Sequence, residues 1–582
     1  MNASDVLVEK LIAWGVDTIF GIPGDGINGV IESLRKAQDK IRFIHVRHEE
    51  SAAFMACAYA KFTGKLGVCL ATSGPGGIHL LNGLYDAKMD QAPVLAITGM
   101  QFRDLTGSYG QQDVELDKVF MDVACYNERV MSAPHMAPTA DLAIRSAIEK
   151  RQVAHLTIPI DVQLEELSNK DRSERNLKGH TSTVRSVTGN VPREEDLKAA
   201  AAVINKGKRI AILAGQGALD AGDELVQLAE LLGAPIIKPL LGKGCVPDDS
   251  PYTTGGIGLL GTEPSQNAVE NCDTLIMIGT SYPYMEYLPK PGDARAVQID
   301  ANAQRIGLRY PVEVGLVGDS KKSLKALLPL LKRNDYRKFL ERAQKEMKAW
   351  DKSLETEGTV MSMPMKPQVV GWQMSPFTKE NAIIVSDSGT NTTVWARYMK
   401  AKKGQMHSCS GNLATMAGGM PYAIAAQVAF PDRQVIAVVG DGGFTMLMGE
   451  FITAVAYKLP IKFVIIKNNS LGQIKWEQMV FEGNPEYQCE LFPVDFVAFA
   501  KAMGASGVKI DDPKTASKQF EQALNMPGPV IIEAVVDQYT AMLPAKIKPK
   551  QAIKFTEALL RGEPNRIRIA LTAASDTVRQ MI

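Results

Sequence analysis

In VVGDGGF (438–444) an aspartate stands between glycines at the end of an apolar run, and in FVIIKNNS (463–470) two asparagines end the next such run. A carboxylate and an amide oxygen are hard ligands of the kind Mg2+ takes, and that ion keeps its other positions for water and substrate phosphates. Gly440, Gly442 and Gly443 let backbone come close to a diphosphate. If each run is a strand of one parallel sheet, Asp441 and Asn468 emerge at the same edge, where ligands collect outside the carboxyl ends of the strands. The intervening GFTMLMGEFITAVAYK (443–458) puts Phe444, Leu447, Phe451 and Val455 on one face, as a crossover helix requires. An Asx turn beside a glycine pair would explain GDG alone, but not a second limb at this separation.

Elements able to position such groups recur along the chain. IRFIHVR (41–47), LGVCLAT (66–72) and PVLAITG (93–99) read as buried strands, with SAAFMACAYAKF and IHLLNGLYDAKM as helices between them, and the series closes near LTIPIDV (156–162). A polar stretch follows and reads as a linker. RIAILAG (209–215), TLIMIG (274–279) and ARAVQID (294–300) begin a second series, and the charged segment 332–358 reads as a solvated connecting helix. NAIIVSDSGT, RQVIAVVGDGG and IKFVIIKNNS make a third. The expected class is α/β with three doubly wound parallel-sheet domains: 1–164, a linker 165–192, 193–331, a connecting helix and linker 332–364, 365–545, and a tail 546–582. The first and third domains share architecture without a sequence repeat.

Composition excludes several classes. Lys plus Arg is 65 against Asp plus Glu at 64, so no net field draws nucleic acid or an anionic membrane to the whole molecule, and small molecules are the expected partners. MNASDVLVEKLIAWGV lacks the uninterrupted apolar core of a signal peptide, and no apolar run of about 18 residues occurs. The 7 cysteines are scattered and odd in number, as expected of reduced thiols in a cytoplasmic protein.

GDG followed by NN resembles the thiamine diphosphate binding motif. From roughly residue 1 to 560 the chain is similar to the superfamily of pyruvate oxidases and acetohydroxyacid synthases. It most resembles the flavin-dependent pyruvate oxidases, including the quinone-reducing pyruvate dehydrogenases. The resemblance makes the three domains pyrimidine-binding, central FAD-binding-like and diphosphate-binding. It implies that Asp441, Asn468 and the Ser470 carbonyl bind Mg2+, with Gly440, Gly442, Gly443, Leu471, Gly472 and Ile474 beside the cofactor. In RHEESAAF it makes Glu49 the carboxylate on N1′ of the aminopyrimidine, where a shared proton favours the imino tautomer that deprotonates the thiazolium. SGPGGIHLLNG (73–83) matches a cofactor loop with Gly74, Pro75 and Gly76, and Asn82 and His79 as lesser candidates. In GNLATMAGGMP (411–421) Ala414, Thr415 and Met416 match the loop that holds the aminopyrimidine. In the central domain GQGA, GIGLLGTEPS, GTSYPYMEYLP and AVQID resemble FAD-binding segments, which would line the dinucleotide with Gly258, Leu259, Thr280, Tyr282, Pro283 and Asp300.

The resemblance implies oxidative decarboxylation of pyruvate or a similar small 2-keto acid, through an enamine oxidised by FAD, with quinone or oxygen as acceptor. Gln111 and Glu477 match positions near the substrate. Two aromatics that stand between thiamine and flavin in pyruvate oxidases are missing: Gly110 precedes Gln111, and Gln473 follows LG, with Tyr109 one residue from the first place. Their absence favours the competing reading, a carboligase of the acetohydroxyacid synthase type with structural FAD. A cofactor-binding protein without turnover is opposed by intact Glu49, Asp441 and Asn468. Trp476 is open between helix packing and contact with the site. Because Glu49 and the Asp441 loop lie in domains that pair across subunits in the family, a homodimer or homotetramer is expected. The tail is expected as a surface helix on its own protein, its apolar face being broken by Thr572, Ser575 and Asp576; the alternative is peripheral contact with the inner membrane face.

Overall fold

Aliphatic runs without polar alternation form strands covered on both faces, and helices in the intervening segments hold them parallel. The computed structural model describes residues 1–168, 172–179, 181–183, 189–542, 544–546 and 549–581, the side chains of 574–581 excepted. Part of the expected linker, and the Ser575 and Asp576 side chains, therefore lie outside the described residues.

The first sheet contains β1 (Thr18–Gly21), β2 (Arg42–His45), β3 (Gly67–Ala71), β4 (Val94–Met100), β5 (Ala124–Arg129) and β6 (Val153–Pro159). The second contains β7 (Ile210–Ala214), β8 (Ile236–Ile237), β9 (Thr253–Gly255), β10 (Thr274–Ile278), β11 (Arg295–Asp300) and β12 (Val314–Val317). The third contains β13 (Ile383–Ser386), β14 (Met406–Cys409), β15 (Val435–Gly440), β16 (Lys462–Lys467), β17 (Ser506–Ile510) and β18 (Val530–Val535). All three sheets are parallel. The first runs β2-β1-β3-β4-β6-β5 and the third β14-β13-β15-β16-β18-β17, one topology twice. The second runs β12-β11-β10-β7-β8-β9. Read from β9 this is 3-2-1-4-5-6, the order of dinucleotide-binding sheets, whose crevice opens between β7 and β10.

Two expectations need correction. The crossover after β15 is broken: Asp441–Met446 and Phe451–Ala456 are helical, while Leu447 leaves the helical region at φ −126°, ψ 28°. Phe444 and Phe451 nevertheless share one buried cluster, with Leu447 and Val455 packed against it. The break lets the buried Glu450 carboxylate accept the Arg47 N–H at 3.0 Å, a bond to the first domain. The connecting helix spans Lys338–Gly358 and buries Phe339, Leu340, Ala343 and Leu354, so it is not solvated all round.

The helix Glu49–Thr63 is buried from Ser51 to Ala60, as an all-round apolar helix must be, and packs on the helix Gly419–Ala429 of the third domain. These helices join the first and third sheets through one core. Gly83 brings the helix Leu81–Met89 against the same element: a Cβ there would lie 2.5 Å from the Phe54 amide nitrogen and 2.6 Å from the Ala53 Cβ. At the other end of the chain, Trp476, Met479, Tyr539, Ala558 and Ile569 form a small cluster under the C-terminal helices Pro549–Leu560 and Arg566–Met581. Among the described residues no helix is long and apolar enough to cross a membrane. Gly83→Ala is expected to lower the apparent melting temperature through overpacking, at a cost of about 1–3 kcal/mol. Thermal unfolding by circular dichroism reads this, and an unchanged midpoint would mean the helices part freely.

Candidate active site

β15 and β16 are neighbours in register, Gly440 opposite Ile466, so Asp441 and Asn468 leave the sheet at the same edge. Asp441 is 6% exposed; its Oδ2 accepts the Asn469 N–H at 2.6 Å and its Oδ1 the Gly442 N–H at 2.9 Å. Burial pushes its carboxyl up to about 6, against the pull of these amides. Asn468 lines the cavity and its Oδ1 accepts the Ser470 N–H at 3.0 Å, whereas Asn469 takes a left-handed φ of 52° and serves Asp441 with its backbone. Ser470 Oγ and Thr390 Oγ1, on residues lining the same cavity, are buried without a hydrogen-bond partner. A carboxylate, an amide and two unsatisfied hydroxyls around glycine backbone fit a hard cation with a polyanionic ligand.

A buried carboxylate that sequence reading left unassigned lies below this edge. Asp387, just beyond β13 in SDSGT, is 2% exposed and accepts the Ala417 N–H at 3.1 Å. Burial pushes it up to about 7, while the amides of Ser388, Ala417, Gly419 and Gly418 hold it back. A Cβ on Gly443 would stand 2.0 Å from Asp387 Oδ2, which explains the last glycine of GDGG. Asp387 thereby touches both the GDGG limb and the loop carrying Ala414, Thr415 and Met416. The only sequence signal was a polar loop after a strand.

Glu49 begins the helix Glu49–Thr63 in the first domain. Its Oε2 lies 2.9 Å from His79 Nδ1, and the His79 ring stacks on His48 at 4.6 Å. A Cβ on Gly76 would be 3.2 Å from Glu49 Oε1, and one on Gly74 would be 2.9 Å from the Gln112 Cβ. Pro75 starts the short helix Pro75–His79, which Gly74 caps and which contains Gly76. The Gln111 carbonyl accepts Gln101 Nε2 at 2.7 Å. Glu49, Gly74, Pro75, Gly76 and Gln111 are not among the residues lining the cavity at Asp441. Asn82 lies outside it too, donating to Glu50 Oε1 at 2.7 Å and Thr415 Oγ1 at 3.2 Å.

That cavity, about 1440 Å3, runs from the third domain into the second, and Asp90, Gln91, Cys125 and residues 149–152 of the first domain line part of its wall. Ala414, Met416, Gly440, Asp441, Gly442, Gly443, Asn468, Ser470, Leu471, Gly472, Ile474 and Glu477 line one lobe; Leu259, Thr280, Tyr282, Pro283 and Asp300 line the other. Gly258 lies just behind: a Cβ on it would be 2.1 Å from the Tyr282 hydroxyl, itself buried and unpartnered. Gly215 and Gly217 after β7 meet Gly279 after β10 at the topological switch point. Arg397, from the third domain, holds the Leu259 and Gly261 carbonyls at 2.7 and 2.9 Å. Glycine cradles, an unsatisfied hydroxyl and this sheet order fit a dinucleotide. Tyr109 is fully exposed and does not line the cavity, while Tyr284 does, as does Gln473, whose Nε2 donates to Glu477 Oε1 at 3.1 Å. Trp476 is buried in the cluster beneath the C-terminal helices and faces packing rather than the cavity.

Three family models match in chain order: the N-terminal TPP binding domain of thiamine pyrophosphate enzymes at 1–120, their central domain at 197–327 and their C-terminal TPP binding domain at 387–534. The chain is a member of the thiamine pyrophosphate-dependent enzymes of the pyruvate oxidase and acetolactate synthase superfamily. It is 42% identical over 562 residues to YdaP of Bacillus subtilis (strain 168), whose name refers to thiamine pyrophosphate and to no reaction; the match covers 96% of each chain. It is 32% identical to the pyruvate oxidase of Lactiplantibacillus plantarum, over 92% of this chain and 88% of that one. It is 29% identical to the chloroplastic acetolactate synthase of Arabidopsis thaliana, over 93% and 82%.

An acid with a raised folded pKa takes up protons relative to the unfolded chain, so its contribution to stability falls as pH rises from the ordinary carboxylate range to about 7. Without cofactors, Asp387→Asn is therefore expected to lose less stability than the parent over that interval. Denaturation midpoints at both ends check this, and parallel losses would refute it.

Proposed function

We propose that this enzyme uses thiamine diphosphate, Mg2+ and FAD to decarboxylate pyruvate, or a similarly small 2-keto acid, oxidatively. One observation carries the reading: a single cavity connects the Asp441 edge with the switch point of the central sheet. Thiamine diphosphate supplies an electron sink for the carbon that loses CO2, and FAD an acceptor for the electrons. Asp441, Asn468 and the Ser470 carbonyl hold Mg2+ and, with Gly440, Gly442 and Gly443, the diphosphate. Ala414 and Met416 position the aminopyrimidine, and Glu49 holds the proton at its N1′. Glu477, oriented by Gln473, faces the substrate, and Gln111 joins it there. Leu259, Thr280, Tyr282, Pro283 and Asp300 hold the flavin dinucleotide, whose electrons pass to quinone or oxygen.

The separation of Glu49 from the Asp441 cavity within one chain supports completion of each site by a second copy, in a homodimer or homotetramer. We place the protein in the cytoplasm. The burial of Ala558 and Ile569 against Tyr539 supports a tail packed on its own chain rather than on a lipid surface.

A second reading, carboligation with structural FAD, is favoured by Gln473 where pyruvate oxidases carry an aromatic. Anaerobic mixing of the reconstituted protein with pyruvate separates the two. Rapid bleaching of the flavin is expected, and Glu49→Gln is expected to slow it by at least about 100-fold, as loss of a proton-transfer group does. Unbleached flavin with acetolactate formed would replace the oxidase with the carboligase.

A further inference from the structure

We propose that Asn82, Asp86 and Asp90 form a positioning rail that fixes the loop Ser410–Met416 of the same chain, an inference that rests on the thiamine diphosphate reading. Asn82 and Asp86 stand on the helix Leu81–Met89 and Asp90 is its C-cap, so the three recur four residues apart along one face. Each bonds the loop. Asn82 Nδ2 donates to Thr415 Oγ1 at 3.2 Å, and Asp86 Oδ1 accepts the Ser410 hydroxyl at 2.8 Å. The Asp90 carboxylate accepts the Gly411 and Asn412 N–H groups, both at 2.8 Å, and Asn412 Nδ2 at 3.2 Å. A Cβ on Gly411 would lie 2.8 Å from both Asp90 oxygens, so the loop folds directly round that carboxylate.

Lys61 backs the rail. Its ammonium donates to Asp90 Oδ2 at 2.6 Å, the Cys409 carbonyl at 3.0 Å and the Tyr422 hydroxyl at 2.7 Å. Tyr422 in turn donates to Asp86 Oδ2 at 2.5 Å. Asp86 is 0% and Asp90 2% exposed, so these charge-assisted bonds form away from water.

The loop needs such support. Ala414 sits at φ 54° and Ala417 at φ 73°, left-handed conformations that cost a residue with a Cβ energy unless the surroundings fix them. Ser410, Gly411, Asn412, Ala414 and Met416 of this loop line the cavity. Asn82 and Asp86 do not line the cavity and act through the loop, and Asp90, which lines it beside Gly411 and Asn412, holds the loop backbone there; all three are positioning residues. The rail also belongs to the domain that carries Glu49: Lys61 stands in the last turn of the helix Glu49 begins, and Asn82 bonds Glu50. The conformation of one cofactor loop is thus set from the element whose other end presents the catalytic carboxylate. The Asp441 limb leaves β15 and β16, and among the described residues its side chains have no hydrogen bond to the rail.

That separation gives the test. Calorimetric titration would compare Mg2+–thiamine diphosphate, which needs both loop and limb, with Mg2+–inorganic diphosphate, which needs the limb alone. Asp90→Asn is expected to weaken thiamine diphosphate binding by at least about tenfold, the usual effect of losing hydrogen bonds to a charged group. Asn82→Ala is expected to weaken it by roughly threefold, and inorganic diphosphate should bind both variants as it binds the parent. If Asp90→Asn does not fold, Asn82→Ala and Ser410→Ala carry the same comparison. Thiamine diphosphate binding unchanged in the folded variants, or both ligands weakened equally, overturns the rail while leaving the proposed function intact. A parent protein that binds no thiamine diphosphate overturns the underlying reading as well.

Discussion

Everything in the third domain is arranged around one costly feature, the Asp441 carboxylate held out of water at a strand end. A buried carboxylate without partners is unfavourable by several kcal/mol. Here two backbone amides meet it, and two unsatisfied hydroxyls remain nearby for a ligand to satisfy. The glycines follow from the same constraint. Gly443 yields its space to Asp387, and Gly442 sits under Leu491, Leu471 and Met416, where a Cβ would come within 3.0 to 3.5 Å.

The cavity extends that local chemistry into a second domain. Placing the central sheet's switch point against the Asp441 edge requires a contact between domains, and Arg397 supplies one by gripping the carbonyls of the 259–261 turn. Tyr284 lines the cavity, T-shaped to Tyr282 at 5.6 Å. An aromatic thus enters from the central domain, although neither place where pyruvate oxidases carry one is aromatic in this chain.

Much of the site was legible because its signals are local. GDGG and NNS end runs of β-branched residues, so their strand-end position follows from pattern alone. The repeated topology was harder to see. β1, β8, β9 and β12 are short, and β5 is half-buried along its length, so none makes a continuous apolar run. The broken crossover helix was hidden because Phe444 and Phe451 keep a helical spacing across the break.

By itself the sequence determined which strand-end groups could face a hard cation and a diphosphate, since hard oxygen donors, glycines and strand ends are specified residue by residue within short windows. Tertiary structure decided which groups meet. Asp387, Asp86, Asp90 and Lys61 are acids and a lysine of ordinary type in sequence, and only folding brings them from separate elements into contact with the cofactor loops. It also decided that Glu49 stands apart from its own chain's cavity. The physical reason is the same in each case: these roles depend on burial and on hydrogen bonds between residues 29 to 361 positions apart, and neither leaves a local periodicity to read.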